Sequence, residues 1–190
     1  ILITNMNFMV GKKKGKVVFV TSSVKGEGKT FVSVNLGLTI ASPNKKTIII
    51  GADIRNPQLQ RYNEERKGLK GLTEFLYEES LDYKTLVHKS IYNQYLDVMY
   101  SGSIPPNPTD LLSNGKFENL IQELSQHYDY IILDTAPLML VTDSFLIAET
   151  ADITLYVVRS RYTEKSLIDF AKKNYESKKI KNLGFVLNDV

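Results

Sequence analysis

A chain of 190 residues that is 43% hydrophobic and 24% charged is long enough for one well-packed domain and short for two. A formal charge of +3, from 24 Lys and Arg against 21 Asp and Glu, falls short of the concentrated basic face that nucleic-acid binding needs, so no nucleic-acid partner is expected. Cysteine is absent, which excludes disulfides and thiolate metal sites and fits a reducing cytoplasm, and no apolar run approaches the roughly 20 residues of a membrane span or the form of a signal peptide.

In chain order, Ile1, Leu2, Met6, Met9 and Val10 are spaced as on a helix that lies on a sheet or on a neighbouring subunit. Gly11 to Lys16, GKKKGK, reads as a solvated basic turn, with an acidic partner or anionic membrane surface as the other reading. Val17 to Thr21 is an unbroken apolar run, the mark of a strand buried on both faces. From Ser23 the chain reads S-V-K-G-E-G-K-T, which matches the phosphate-loop pattern G-x-x-x-x-G-K-[ST] at every defined position but the first. Gly26 and Gly28 let backbone N–H groups turn in around phosphate oxygens. Lys29 adds a point charge, Thr30 offers a hydroxyl to Mg²⁺, and the helix opening there turns its positive end to the same anion.

Ser42-Pro43-Asn44 stops that helix, and Thr47 to Ile50 is a second parallel strand, which makes the start of a doubly wound sheet. Its carboxyl end, Gly51-Ala52-Asp53-Ile54-Arg55-Asn56-Pro57, is where open α/β sheets collect ligands, so Asp53 and Arg55 are site candidates. Gln58 to Gly71, with Arg61, Glu64, Glu65, Arg66 and Lys67, is a polar surface crossing; Leu72 to Tyr77 and Tyr83 to His88 read as short helices, and Leu96 to Tyr100 as a strand. The prolines of Ser101 to Pro108 forbid regular structure, and Asn107-Pro108-Thr109-Asp110 has the form of a helix start with Asn as cap. An amphipathic helix over Lys116 to Gln126 precedes the strand Tyr130 to Leu133, which ends in Asp134-Thr135-Ala136-Pro137. An acid so placed, downstream of a phosphate loop, is the expected Walker B residue, reaching Mg²⁺ through water. Helix, strand, helix and strand follow at 142–150, 153–159, 164–175 and 183–187. His88 and His127 read as surface residues of helices, no zinc site is expected, and the 11 tyrosines are dispersed. The predicted fold is α/β: one doubly wound, mainly parallel sheet with helices on both faces over residues 1–190.

The motifs S-S-V-K-G-E-G-K-T, I-I-I-G-A-D-I-R-N-P, I-I-L-D-T-A-P and S-G-S-I-P-P-N-P-T-D-L-L together resemble the bacterial tyrosine kinases (BY-kinases) of capsule and exopolysaccharide export, over nearly the whole chain. The resemblance implies a P-loop NTPase fold of the deviant-Walker, Min/Par-like group, although Val24 stands where the Min/Par signature lysine would be. It implies ATP and Mg²⁺ as cofactors and autophosphorylation in trans within an oligomer. It also implies a membrane-embedded polysaccharide co-polymerase region or adaptor as partner, a tyrosine phosphatase as counterpart, and a place on the cytoplasmic face of the bacterial plasma membrane.

Carried onto this sequence, Lys29 would meet the β- and γ-phosphates and Thr30 the Mg²⁺, with Asp134 as Walker B acid and Asp53 as second acid of the Walker A′ motif. Ser23, Lys25, Gly26, Glu27, Gly28, Lys29, Thr30 and Phe31, with Arg55, would surround the nucleotide, and Asn188 would contact adenine. Three departures stand out. The first Walker A′ acid, favoured in the family as base for the acceptor tyrosine, is Gly51; Ile3 stands where the last Arg of an E-x-x-R-x-x-R assembly motif would fall; and the C-terminal tyrosine cluster is expected beyond Val190. A chain that starts at Ile1 without Met and stops after a strand-like run is expected to be a fragment of a longer protein. Gly51 also motivates an alternative, an ATP-binding assembly regulator with little kinase activity. A Min/Par-like ATPase acting on membrane or DNA is a third reading, which Val24 and the small net charge oppose.

Overall fold

The computed structural model describes residues 1–11, 13–63 and 68–190; Lys12 in the basic turn and residues 64–67 of the polar crossing lie outside the described residues. Among the described residues, seven strands form one sheet: β1 (Lys16–Ser22), β2 (Thr47–Gly51), β3 (Val87–Lys89), β4 (Leu96–Met99), β5 (Tyr130–Asp134), β6 (Ile153–Arg159) and β7 (Leu183–Asn188). Their order is β3-β4-β2-β5-β1-β6-β7, all parallel except β3 on β4. The helices are α1 (Leu2–Val10), α2 (Lys29–Ile40), α3 (Leu72–Tyr77), α4 (Pro108–Leu112), α5 (Lys116–His127), α6 (Ser144–Glu149) and α7 (Lys165–Glu176).

Alternation along the strands divides the core in two. Phe19, Ile48, Ile50, Leu133 and Tyr156 meet Phe117, Leu120 and Leu124 of α5 on one face, together with α3, α4, α6 and α7. Val18, Val20, Ile49, Ile132 and Leu155 meet α2 and Met6 of α1 on the other. Every residue of β1 is buried, as its apolar run predicts, because β5 and β6 flank it and helices cover both its faces.

The register sets the level of the strand ends. Val20 pairs with Asp134, and Gly51 pairs with the same Asp134, so the carboxyl ends of β1, β5 and β2 open at one edge. Consecutive βαβ units would have placed β2 beside β1; β5 lies between them instead.

Several local expectations change. The segment 83–88 is not one helix but a 3₁₀ turn, Tyr83–Leu86, followed by β3, so His88 is a half-buried strand residue with its ring 6.1 Å from that of Tyr100. Pairing with β4 gives those three residues a ladder that helical spacing could not. Asn107 occupies the cap position of α4, but its side chain makes no capping bond. The polar crossing contains a 3₁₀ turn, Leu59–Tyr62, anchored by buried Leu59. Lys16 is no solvated turn residue: it opens β1, is only 8% exposed, and donates to Asn7 Oδ1 at 2.7 Å. Tyr130 donates to the same oxygen at 2.7 Å, so one amide on α1 ties that helix to the sheet.

Candidate active site

The phosphate loop leaves β1 at Ser22 and enters α2 at Lys29, with Gly26 at φ 82° and Gly28 at φ 98°, the left-handed region where a Cβ is strained. The loop is braced from behind. Glu27 is wholly buried, its carboxylate accepting the Val24 N–H at 2.8 Å and the Thr163 hydroxyl. Asn188 donates to the Glu27 carbonyl at 3.0 Å and fills the space a side chain at position 28 would need. Tyr162 donates to the Lys25 carbonyl at 3.0 Å and Arg159 to that of Gly26 at 3.2 Å.

Four of the predicted nucleotide residues, Ser23, Glu27, Arg55 and Asn188, have side chains engaged within the protein. The Ser23 hydroxyl is fully buried and bonded to Tyr156 at 2.8 Å, because a hydroxyl facing the core must find a polar partner there. Glu27 turns inward, where its charge satisfies loop donors, and Asn188 supports the loop's backbone. Arg55 is held by Asp143, with Nε 2.7 Å from Oδ2, while Thr109 donates to Oδ1 of the same buried carboxylate at 2.7 Å. That network fastens the Walker A′ loop to the start of α4 and to the turn after β5.

The other predicted residues come together. Lys25, Gly26, Gly28, Lys29, Thr30, Phe31 and Asp53 line one cleft of about 420 Å³, which is closed by residues of the Asn56 to Tyr62 stretch and by Pro137. Asp134 does not itself line the cleft: it is buried beside Thr30, with the hydroxyls of Thr30 and Ser33 donating to its carboxylate, the latter at 3.3 Å. Ala52 and Asp53 both donate their N–H groups to the Asp134 carbonyl, at 2.8 and 3.0 Å, so the two acids are fixed by one backbone junction.

Charge is expensive here. Burial pushes Asp134 up to about 6, against the opposing pull of the Thr30 hydroxyl and the Lys29 ammonium. Burial likewise pushes Lys29 below its ordinary value while Asp134, Asp53 and Glu27 hold it up. Asp53 is raised by burial, opposed first by the Asn56 N–H, which reaches Oδ1 at 2.9 Å, and then by Lys29. A phosphate anion entering the cleft would meet unpaired helix N–H groups and a partly desolvated ammonium. Two carboxylates and the Thr30 hydroxyl are hard oxygen donors that suit Mg²⁺ completed by phosphate and water.

Gly51 faces buried Ser101. A Cβ built on Gly51 would lie 2.5 Å from Ser101 Oγ and 3.0 Å from its backbone nitrogen, so the space of the missing first acid is filled by the strand-end loop after β4. Motif reading did not single out Ser33, Thr163 or Asp143. Ser33, one turn beyond Lys29 on α2, was the one within reach of sequence reasoning, since a buried acid at Asp134 needs hydroxyl donors.

A parallel sheet carrying a phosphate loop at the end of β1 and an acid at the end of β5 defines a P-loop nucleotide-binding protein. The model of the family described as AAA domain matches residues 15–182. The tyrosine-protein kinase CpsD of Streptococcus agalactiae serotype III is 34% identical over 187 residues, covering 98% of this chain and 79% of that one. The tyrosine-protein kinase ptk of Acinetobacter johnsonii is 30% identical over 188 residues, and there the chain spans only 25% of the relative's length. The kinase domain of the Escherichia coli tyrosine kinase ETK superposes with a TM-score of 0.89 at 26% identity, covering 100% of this chain and 73% of that one. The chain belongs to the bacterial tyrosine-kinase (BY-kinase) family.

Two outcomes follow from the site's physics. The pKa of Asp134 in the folded chain, about 6, lies above the unfolded value near 4, so its ionisation penalty is absent below about pH 4 and complete above about pH 6. Asp134→Asn should therefore stabilise the nucleotide-free chain by on the order of 2–3 kcal/mol at pH 8 and by little at pH 4, as read by chemical denaturation. Gly51→Asp should overpack the β2 end and cost about 1–3 kcal/mol, and adding Ser101→Gly should recover part of the loss in thermal melts.

Proposed function

We propose that residues 1–190 form the kinase domain of a longer membrane-associated protein, transferring the γ-phosphoryl group of ATP to protein tyrosines, first on other copies of itself. The observation that carries this reading is that Lys29 and Asp53 line one cleft at the level ends of β1, β2 and β5, with the buried Asp134 close enough to act on Lys29. In the transfer, the acceptor oxygen forms a bond to the γ-phosphorus as the bond from that phosphorus to the β,γ-bridging oxygen breaks. ADP leaves with the electron pair, and the phenolic proton passes to the Asp53 carboxylate. Its raised pKa brings Asp53 closer to the phenol it must deprotonate, which improves it as a base. Lys29 neutralises charge on the transferred group, and the loop N–H groups hold the phosphates in line. Thr30, Asp134 and Asp53 would hold Mg²⁺, which would supply further positive charge to the transferred group.

In this reading the chain acts at the cytoplasmic face of the bacterial plasma membrane, in the control of exopolysaccharide or capsule polymerisation and export. It works with a membrane-embedded co-polymerase region or adaptor, and a tyrosine phosphatase reverses its action. Among the described residues no helix is long and apolar enough to cross a membrane. An apolar groove of about 330 Å³ between α1 and α2, lined by Ile1, Leu2, Phe31, Leu36 and Val186, supports association with another copy or with that partner. The named kinases among the relatives favour phosphoryl transfer over a purely regulatory ATP-binding role.

The test is incubation of the chain with labelled ATP, Mg²⁺ and a tyrosine-containing peptide. Phosphotyrosine should form, and Lys29→Met should reduce its rate about 10²–10³-fold. Labelling that is unchanged in Lys29→Met would contradict the reading.

A further inference from the structure

The cleft does not end at Asp53. Its wall continues along the 3₁₀ turn Leu59–Tyr62, which contributes Arg61 and Tyr62. Leu59, 2% exposed, roots that turn in the core beneath α2, so the two residues that follow Gln60 are presented at the rim. The Tyr62 ring is half-buried, packed against that core, and stands near enough to Asp134 to feel its charge. It lines the same cleft as Lys29 and Asp53. Gln58, also on this wall, has its amide donated to Asn56 and Pro57 carbonyls at 3.1 and 3.2 Å. Arg61 is exposed beside it and carries a planar cation at the mouth.

An acceptor tyrosine approaching from solvent needs an apolar surface for its ring within reach of Asp53, and aromatic rings pack favourably against one another in offset or edge arrangements. A guanidinium at the mouth pairs with carboxylates in fork geometry. We propose that Tyr62 and Arg61 form the acceptor subsite: the incoming tyrosine ring packs on Tyr62, and Arg61 engages an acidic residue adjacent in the substrate, so that tyrosines in acidic sequence are preferred. The inference rests on the kinase reading above. Transfer proceeds as described there, with the phenolic proton passing to Asp53, and neither Tyr62 nor Arg61 exchanges a proton or phosphoryl group.

The experiment measures steady-state transfer from ATP·Mg²⁺, by the full chain, to two synthetic peptides whose single tyrosine is flanked by glutamates or by lysines. The expected KM is about threefold to tenfold lower for the glutamate peptide. Tyr62→Ala should raise KM by about threefold to tenfold with a smaller effect on kcat, Tyr62→Phe should restore it, and Arg61→Glu should reverse the peptide preference. Binding of a fluorescent ATP analogue reports that each variant is folded. Equal KM values across peptides and variants, with wild-type transfer intact, would overturn the subsite while leaving the kinase reading in place. Label found on Tyr62 itself and lost in Tyr62→Phe would overturn it too, by making the residue an acceptor. No transfer by the wild-type chain to either peptide would overturn the kinase reading, and the subsite with it.

Discussion

A carboxylate buried at the end of the central strand β5 is the constraint on which the rest of this structure depends. Asp134 is 2% exposed, and an ion so placed is tolerated only where hydroxyls and a cation meet it. Thr30 and Ser33 supply the hydroxyls and Lys29 the cation, and all three sit on the first turns of α2. The helix must therefore start at the level of the β5 end. That fixes the reach of the loop between β1 and α2, and the loop's glycines follow from it.

The loop is held by side chains that never face the cleft. Glu27 ties it to Thr163 beyond β6, Asn188 ties it to the end of β7, and Tyr162 and Arg159 fasten two of its carbonyls. On the other side Arg55, Asp143 and Thr109 join three separate segments around the Asp53 loop. Holding both loops rigidly keeps N–H groups and charges aimed where an anion will arrive, so little reorganisation is left for the moment of binding. The cost appears in the raised carboxylates and the lowered ammonium, a site that a nucleotide would relieve.

Much of this was legible in the sequence because the chemistry restricts the residue types. Only small residues suit the turns at Gly26 and Gly28, only a short hydroxyl suits Thr30, and an acid ending the apolar run 130–133 has few structural uses. The strand order was less legible: nothing in the local pattern says that β5 separates β1 from β2, since that depends on which helices cover which face. Side-chain direction was also hidden. Ser23 and Glu27 stand within the motif but point into the core and into the loop, while Tyr62 and Arg61 stand in a polar stretch that resembles any surface crossing. At Gly51 the sequence shows a missing acid, and the fold adds that Ser101, fifty residues away in the chain, occupies its place.

Lys29, Asp53 and Asp134 form one electrostatically coupled cluster before any nucleotide binds. The most direct measurement is the titration of the Asp134 carboxyl carbon by NMR in the nucleotide-free chain and in Lys29→Met. The expected midpoint is near 6 and rises when the ammonium is removed, because the cation is one of the forces holding it down. A midpoint that stays where it is, or falls, would contradict that coupling.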